Sequence, residues 1–271
     1  LDKNYPARLK NCEDAPVMLY LKGEVELNVP RVVSIVGTRN PTDYGKNFCE
    51  KLVGDLKEMN VMVVSGLAYG IDTCAHRTCV KNDVPTVGVL AHGLDKLYPP
   101  DNAALVKKMI PNGGIITEFV SGTKLAPELF PRRNRIVAGM ADAVVVIESK
   151  KGGGSLITAD IANSYSRDVF ALPGKISDPV SEGCNWLIKI NKAALIESAK
   201  DIAYMLGWED KKEKKKIQKE LFIQLTAEEE ILINVLKEKN KLHVDELSVF
   251  AAFPMSKTSS LLFTLEMNGV V

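Results

Sequence analysis

Three glycine-containing turns, each following a short run of β-branched residues, are the positions in this sequence best suited to bind an anion. They are Val36-Gly37-Thr38-Arg39, Ser65-Gly66-Leu67-Ala68-Tyr69-Gly70 and Lys151-Gly152-Gly153-Gly154-Ser155. Glycine lets the backbone turn without a Cβ clash, and the free amides of a following helix can then face a phosphate. The turns therefore predict a phosphate-binding surface where they meet.

A basic segment, Arg132-Arg133-Asn134-Arg135, lies between the second and third turns and follows Phe130. We expect it to begin a helix directly before a central strand, so that guanidinium groups and first-turn amides lie together. Several cations beside free amides suit a backbone with several phosphates better than one small metabolite. Phe130 could stack on an unpaired base. The alternative role for the arginines is ion pairing with Glu118 or Glu148.

The common nucleotide-binding motifs do not fit the sequence. Gly37 and Gly45 are not spaced as G-x-G-x-x-G, and the second predicted strand ends at Ser65 instead of an acidic residue. A G-x-x-x-x-G-K-[ST] loop is also missing from the sequence. Hydrolytic chemistry has one candidate pair, because Asp72 and His76 are four residues apart on one predicted helix face. A histidine at that spacing more often fixes a helix than acts as a base.

Composition limits the remaining classes. With 271 residues, 46% of them hydrophobic, the chain can bury a substantial core, and its net charge of +1 makes any polyanion site a matter of local placement. The five cysteines form no C-x-x-C pair, which favours reduced cytosolic thiols over disulfides or zinc. No leader or membrane span is evident, so we expect a cytoplasmic protein without a resident metal or cofactor.

Strands and helices alternate through most of the chain, which predicts a doubly wound, mostly parallel α/β sheet. The predicted strands are 32–36, 61–65, 86–90, 115–118, 143–147, 169–172 and 194–196. The strand at 143–147 is apolar on both faces, as expected in the middle of a sheet.

The pattern changes beyond this region, and we divide the chain into 1–207, a charged linker at 208–220 and a small domain at 221–271. In the last part Thr226 and Glu229 form a capping-box pattern, and two further short helices follow. This is typical of a winged helix with a shortened wing. Its third helix offers only Lys257 as a cation, which favours a protein-contact or packing role over duplex binding.

Taken together, the motifs resemble those of the DprA/Smf family of bacterial DNA-processing proteins. The resemblance rests on Ile35-Val36-Gly37-Thr38-Arg39, on Phe130-Pro131-Arg132-Arg133-Asn134-Arg135-Ile136, on the segments 19–23, 65–72, 93–95, 154–159 and 169–174, and on the pairs Tyr5-Pro6, Ala75-His76 and Tyr98-Pro99. These motifs occur in order across most of residues 1–207.

The resemblance implies an extended Rossmann-like domain that binds single-stranded DNA, dimerises through that domain and loads RecA during natural transformation, without catalysis. The DNA-binding set that we predict is Gly37, Thr38, Arg39, Ser65, Gly66, Phe130, Arg132, Arg133, Asn134, Arg135, Lys150, Lys151, Gly154 and Ser155. Within this set the resemblance assigns phosphate contacts to Arg39, Arg133, Arg135 and Lys151. Pro100 and Pro127 stand where relatives commonly have lysines.

A nucleotide-binding protein of another class is the competing hypothesis. Similar Rossmann-like folds in cytokinin-activating enzymes cleave an N-glycosidic bond of a nucleoside monophosphate, using a glutamate near a glycine-rich loop. This chain has Asp160 in that region, one carbon shorter. A nucleotide sensor without chemistry would need a tight pocket and binding with little salt dependence.

Overall fold

The computed structural model describes residues 3–209, 225–239, 241–267 and 270. The chain divides into two compact units, Leu1–Glu209 and Asp210–Val271. The first contains an eight-stranded sheet with helices on both faces, and the described residues of the second form three helices. Residues 210–220 of the predicted linker lie outside the described residues.

The sheet of the first unit has the strand order β1-β5-β4-β3-β2-β6-β7-β8. Its strands are β1 Tyr20–Gly23, β2 Val32–Gly37, β3 Met62–Ser65, β4 Thr86–Val89, β5 Gly113–Thr117, β6 Ala143–Ile147, β7 Asp168–Ala171 and β8 Ala194–Leu195. All neighbouring pairs are parallel except β1 with β5. The prediction of a doubly wound, mostly parallel α/β sheet is confirmed.

Helices connect the parallel strands and cover both faces of the sheet. They are α1 Ala7–Lys10, α2 Asp43–Lys57, α3 Ile71–Lys81, α4 Ala103–Met109, α5 Leu129–Gly139, α6 Gly154–Ser164, α7 Glu182–Lys189 and α8 Ala199–Met205. Short 3-10 turns at Pro100–Asn102 and Ile110–Asn112 flank α4.

Side-chain alternation along β2 shows how the sheet builds two cores. Val32 and Val36 pack on the face covered by α1, α5, α6 and α7, whereas Val33 and Ile35 pack on the face covered by α2, α3 and α8. All four are buried. A strand with apolar residues on both faces is stable only between two layers of helices, which places β2 in the middle of the sheet.

Strand order reverses between β2 and β6. The strands β3, β4 and β5 follow β2 on one side, whereas β7 and β8 follow β6 on the other. Helices that leave β2 and β6 therefore depart to opposite faces, and a crevice opens between the carboxyl ends of these two strands. Open α/β sheets bind their ligands at such a switch point.

The second unit packs three helices, α9 Ala227–Lys239, α10 Val244–Phe250 and α11 Met255–Met267, around Leu232, Leu247 and Leu265. The predicted capping box is present, since the Thr226 amide donates to Glu229 Oε2 at 2.8 Å and the Glu229 amide donates to Thr226 Oγ1 at 3.3 Å. Of the predicted shortened wing, residues 268, 269 and 271 lie outside the described residues.

Lys257, the cation of the third helix, is not free for phosphate. Its Nζ lies 2.6 Å from Glu228 Oε1 and 5.2 Å from the ring centroid of Phe253. This pairing supports a packing role for α11 over a duplex-binding role. Across both units, none of the described helices is long and apolar enough to cross a membrane.

Candidate functional site

A pocket of about 400 Å³ lies in the crevice at the strand-order reversal, and we call it the switch-point pocket. Its walls are the ends of β2 and β6, the turn after β3, and the helices α5 and α6. It is lined by Val36, Gly37, Thr38, Arg39, Gly66, Ala68, Asp72, Phe130, Pro131, Arg133, Asn134, Val137, Ser149, Lys150, Gly153, Gly154, Ser155, Ile157 and Thr158. The three glycine turns thus meet at one place, as their position after parallel strands predicts.

The amino end of α6 supplies the main anion-binding feature of the pocket. The helix begins at Gly154, and the preceding Gly153 has no side chain with which to cap it. Ser155 donates its hydroxyl hydrogen to Ser149 Oγ at 2.8 Å. A Cβ on Gly154 would meet no atom within 4 Å. The Leu156 amide donates to the Gly153 carbonyl oxygen at 3.0 Å, so the Gly154 and Ser155 amides and the positive end of the helix dipole are the groups left for an anion.

The amino end of α2, in contrast, already holds an anion of the protein itself. Glu148, which is 1% exposed, accepts a hydrogen bond from the Thr42 amide at 2.8 Å and another from the Thr42 hydroxyl. A Cβ on Gly45 would lie 2.5 Å from this carboxylate. In Rossmann dinucleotide-binding proteins a pyrophosphate occupies the corresponding helix terminus. The absence of the G-x-G-x-x-G motif thus has a structural counterpart, because Glu148 fills the pyrophosphate position. Glu148 binds Thr42 there instead of an arginine.

Arg133 forms part of the pocket wall and is 5% exposed. Its guanidinium group donates to the carbonyl oxygens of Gly66 and Val89 and to Asn134 Oδ1. A Cβ on Gly66 would meet the guanidinium group at 2.5 Å. Burial lowers the pKa of Arg133 to about 10, and the nearby Asp72 opposes this shift. Arg133 therefore ties the ends of β3 and β4 to α5, a structural role that sequence reasoning missed.

Arg132 and Arg135 do not reach the switch-point pocket. Both bind Glu118 Oε2, at 3.0 Å and 2.6 Å respectively. They line a separate pocket that also contains Asp14. Successive helix residues are about 100° apart, so Arg132 and Arg135, three residues apart, share a face, while the two residues between them point elsewhere. The predicted convergence of the whole basic segment is therefore wrong, and the weighed alternative of ion pairing with Glu118 applies to these two arginines.

The remaining cations of the predicted set lie at or near the pocket. Arg39 and Lys150 are exposed and line it, whereas Lys151 is exposed beside it without lining it. The Arg39 guanidinium carbon lies 5.9 Å from the ring centroid of Phe130, which in turn contacts the Tyr98 ring edge-on at 6.1 Å. An exposed guanidinium group on an aromatic face offers both a phosphate contact and a stacking surface.

Gly37, Thr38 and Ser65 serve mainly to build the pocket. A Cβ on Gly37 would lie 2.0 Å from the Ile147 carbonyl oxygen, so glycine is required by the close approach of β2 to β6. The Thr38 amide donates to the Glu148 carbonyl oxygen at 2.8 Å. Ser65 is fully buried and donates to the Ile35 carbonyl oxygen at 2.6 Å.

Asp72 and His76 are both buried but do not form an acid–base pair. Asp72 lines the pocket and accepts from the Ala68 amide at 3.2 Å. His76 Nδ1 lies 2.7 Å from Thr86 Oγ1. Burial raises the pKa of Asp72 to about 6 and lowers the pKa of His76 to about 3. His76 therefore stays neutral under physiological conditions and fixes α3 to β4.

Two non-glycine residues at the pocket have left-handed backbone conformations. Leu67 has a φ of 56° and follows β3 by two residues, and Glu148 has a φ of 53° directly after β6. Such a conformation costs on the order of 1 to 2 kcal/mol for a residue with a Cβ. Glu148 offsets this cost because the turn aims its carboxylate at Thr42. The sequence offered no signal for either residue.

Residues 1–207 match the sequence profile of the family described as DNA recombination-mediator protein A. The chain belongs to this family. Curated relatives include the DNA processing protein DprA of Bacillus subtilis (strain 168), 40% identical over 201 residues, which are 74% of this chain and 67% of the relative. DprA of Streptococcus pneumoniae (strain ATCC BAA-255 / R6) is 40% identical over 202 residues, which are 74% of this chain and 71% of the relative.

Solved structures of DNA processing protein A (DprA) show the same fold. The X-ray structure of the Streptococcus pneumoniae protein superimposes with a TM-score of 0.71 at 39% identity, covering 75% of this chain and 71% of the other. The Helicobacter pylori protein, described for its unique single-stranded DNA binding mode, has a TM-score of 0.69 at 29% identity and covers 76% and 94% of the two chains. In this family member the switch-point pocket lies within the matched region.

The competing hydrolase hypothesis requires a carboxylate at the switch-point pocket, and its candidate does not lie there. Asp160 does not line the switch-point pocket, and its Oδ1 binds Lys192 Nζ at 2.6 Å. Among the described residues no group of three or more His, Cys, Asp or Glu side chains could hold a metal ion.

Proposed function

We propose that this protein binds single-stranded DNA in the switch-point pocket and acts as a recombination mediator. The observation that carries the proposal is the open amino end of α6, which lies in one pocket with the exposed cations Arg39 and Lys150. Amides, a helix dipole and mobile cations together suit a phosphodiester backbone. The family membership and the DNA-binding mode described for the Helicobacter pylori relative support the same assignment.

The preference for single strands rests on Phe130. Its ring lies at the pocket beside Arg39, and an aromatic face can stack only on a base that is unpaired. Phosphates bound at α6 would place neighbouring bases within reach of this ring. We further propose, on the family resemblance, that the protein forms a homodimer through its first unit, delivers DNA to RecA in the bacterial cytoplasm and performs no catalysis itself.

Salt dependence tests the phosphate contacts. With about three phosphates neutralised, the logarithm of affinity for single-stranded DNA should fall against the logarithm of salt concentration with a slope of roughly −2. Fluorescence anisotropy of labelled oligonucleotides, with matched duplex alongside, measures it. Arg39→Ala should weaken binding by about tenfold and make the slope less steep by about 0.7. Lys10→Ala is the control, because α1 packs against Gly139 at the end of α5 that is away from the pocket.

Equal affinity for duplex and single strands would contradict the proposal, as would tight binding of a mononucleotide with little salt dependence. An Arg39→Ala variant that binds like the Lys10→Ala control would remove Arg39 from the phosphate site. Urea denaturation of both variants shows whether either substitution alters the fold.

Gly154 allows a test that changes charge alone. A side chain there enters open space at the first position of α6, where an acidic residue is also favourable for the helix. We expect Gly154→Glu to weaken single-strand binding by about tenfold relative to Gly154→Gln, because its carboxylate occupies the anion position. Both variants should unfold at the same urea concentration as the unmodified chain or higher. Similar DNA affinities for the two variants would argue against phosphate binding at α6.

A further inference from the structure

A second groove, of about 750 Å³, runs between α2 and α3 and starts beside the switch-point pocket. Tyr69, with 41% of its surface exposed, lines both this groove and a small pocket that contains Arg39 and Phe130. A Cβ on Gly70 would touch Arg39 backbone atoms, so the groove begins directly next to Arg39. Tyr69 thus stands between the two cavities, and we call the larger one, between α2 and α3, the α2–α3 groove.

The charges along this groove favour an anion. Its cations are Lys46, Arg77 and Lys81, and its anions are Glu50 and Asp101. Lys46 pairs with Asp43 at 3.2 Å, and Asp101 accepts the Tyr69 hydroxyl at 2.8 Å. Within the described parts of the chain, Arg77 and Lys81 have no acidic partner within 4.0 Å. Two exposed cations are therefore available on the α3 side.

Helix geometry places these cations in a line with the entrance. Tyr69 lies two residues before the start of α3, and Arg77 and Lys81 are four residues apart on the helix. Eleven helical residues extend about 16 Å, which is the length of a few nucleotides. A strand that leaves the switch-point pocket past Tyr69 would meet a cation in the middle of α3 and another at its end.

The α2 side of the groove leaves room for a close approach. Gly54 lies inside α2, and a Cβ there would meet nothing within 4 Å. Glycine weakens a helix interior relative to alanine, and no packing within the described chain requires it here. Small residues, Gly54 and Cys74, therefore leave the groove open where a backbone would lie.

We propose that the α2–α3 groove carries the next segment of the same single DNA strand, with its phosphates at Arg77 and Lys81 and a base against Tyr69. This inference rests on the proposed function of the switch-point pocket. It predicts two contact regions that differ in the oligonucleotide length they require. A strand of about five nucleotides fills the switch-point pocket alone, and a strand of about twenty reaches the groove as well.

The alkylation rate of Cys74 measures whether DNA covers the groove in the unmodified protein. It lines the groove and is partly exposed, whereas Cys12, Cys49, Cys79 and Cys184 are buried. A hydrogen bond from Cys49 lowers the pKa of the Cys74 thiol, which favours the thiolate that reacts with alkylating agents. We expect an oligothymidylate of about twenty nucleotides to slow iodoacetamide labelling of Cys74 by about threefold or more, and one of about five to leave the rate unchanged. Equal rates with the long strand bound and absent would overturn the proposal.

Charge reversal provides the second measurement. Arg77→Glu combined with Lys81→Glu should weaken binding of the long strand by about tenfold or more and of the short strand by less than about twofold. The control is Lys10→Glu with Lys189→Glu, which makes the same net charge change on α1 and α7, on the opposite face of the sheet. It should affect both lengths equally and weakly.

The outcomes separate the two proposals. If the unmodified chain binds both lengths through Arg39 and the groove variant behaves like its control, the groove proposal fails and the pocket proposal stands. If the unmodified chain binds neither length, both fail. Urea midpoints equal to that of the unmodified chain confirm that each charge-reversal variant is folded.

Discussion

Replacing Arg133 with alanine should lower the free energy of unfolding by about 3 to 5 kcal/mol. Arg133 is 5% exposed and donates hydrogen bonds to the carbonyl oxygens of Gly66 and Val89. Its removal leaves these carbonyls without a partner and leaves the buried Asp72 without the nearby cation that favours its ionised form. The expectation from family resemblance, a residue that simply holds phosphate, would predict lost DNA binding in a stable protein. Urea denaturation at pH 7 distinguishes the two.

Two further variants sharpen this test. Arg39→Ala removes an exposed guanidinium group at the same pocket, and it should change the free energy of unfolding by less than about 0.5 kcal/mol. Adding Asp72→Asn to Arg133→Ala removes the uncompensated carboxylate, and it should restore part of the lost stability. If Arg133→Ala were as stable as Arg39→Ala, the wall-building role assigned to Arg133 would be refuted.

Asp72 and His76 should give the protein two opposite responses to acid. The folded pKa of His76, about 3, lies below its unfolded value of 6.5. Between these values only the unfolded chain binds the proton, so the contribution of His76 to stability is lost as the pH falls through this window. The folded pKa of Asp72, about 6, lies above 3.8. Only the folded chain binds that proton between these values, so acidification stabilises through Asp72.

Burial and the nearby charge of Arg133 disfavour the charged form of His76, and its hydrogen bonds fix the neutral tautomer. The Thr86 hydroxyl donates to the Val63 carbonyl oxygen at 2.9 Å, so His76 Nδ1–H must donate to Thr86 Oγ1. Nε2 then carries a lone pair, and it has no hydrogen-bond partner among the described residues. A proton there would create a charge without an acceptor.

Single substitutions separate the two responses when the unfolding free energy of each variant is compared with that of the unmodified protein at the same pH. Between pH 7 and pH 5, the unfolding free energy of His76→Asn minus that of the unmodified chain should rise by about 2 kcal/mol. Over about 1.5 pH units the unfolded state of the unmodified chain binds the His76 proton and the folded state does not, a loss of stability that the variant avoids. For Asp72→Asn the same difference should fall by about 1.4 kcal/mol. Urea titrations at a series of pH values measure both. Differences that change in the same direction, or not at all, would contradict the assigned pKa shifts.

The elements most readily predicted from sequence were the central strands. Their β-branched runs are apolar on both faces because helices cover the sheet on each side, as at β2 and β6. The strand β1, Tyr20–Gly23, was missed as an element. It lies at the antiparallel edge, partly exposed, and Leu21 is 41% exposed, so neither burial nor alternation marks it. Edge strands are specified by their neighbour more than by their own residues.

The candidate site was predictable in its position but not in its detailed contacts. The glycine turns follow parallel strands, and topology alone brings such turns to one edge of the sheet. The division of the basic segment depends on which helix face each residue occupies and on a partner, Glu118, that is distant in sequence. Likewise, nothing local to Glu148 indicates that its carboxylate will reach Thr42.

Glu148 also has a consequence for ligand selection. A dinucleotide bound across a switch point relies on the amino end of the first helix for its pyrophosphate. In this protein the Glu148 carboxylate occupies the amino end of α2, and because it is part of the chain it is always present. The amino end of α6 has no such side-chain partner among the described residues. The internal carboxylate therefore disfavours a dinucleotide pyrophosphate at α2, whereas the phosphate contact that we propose lies at α6.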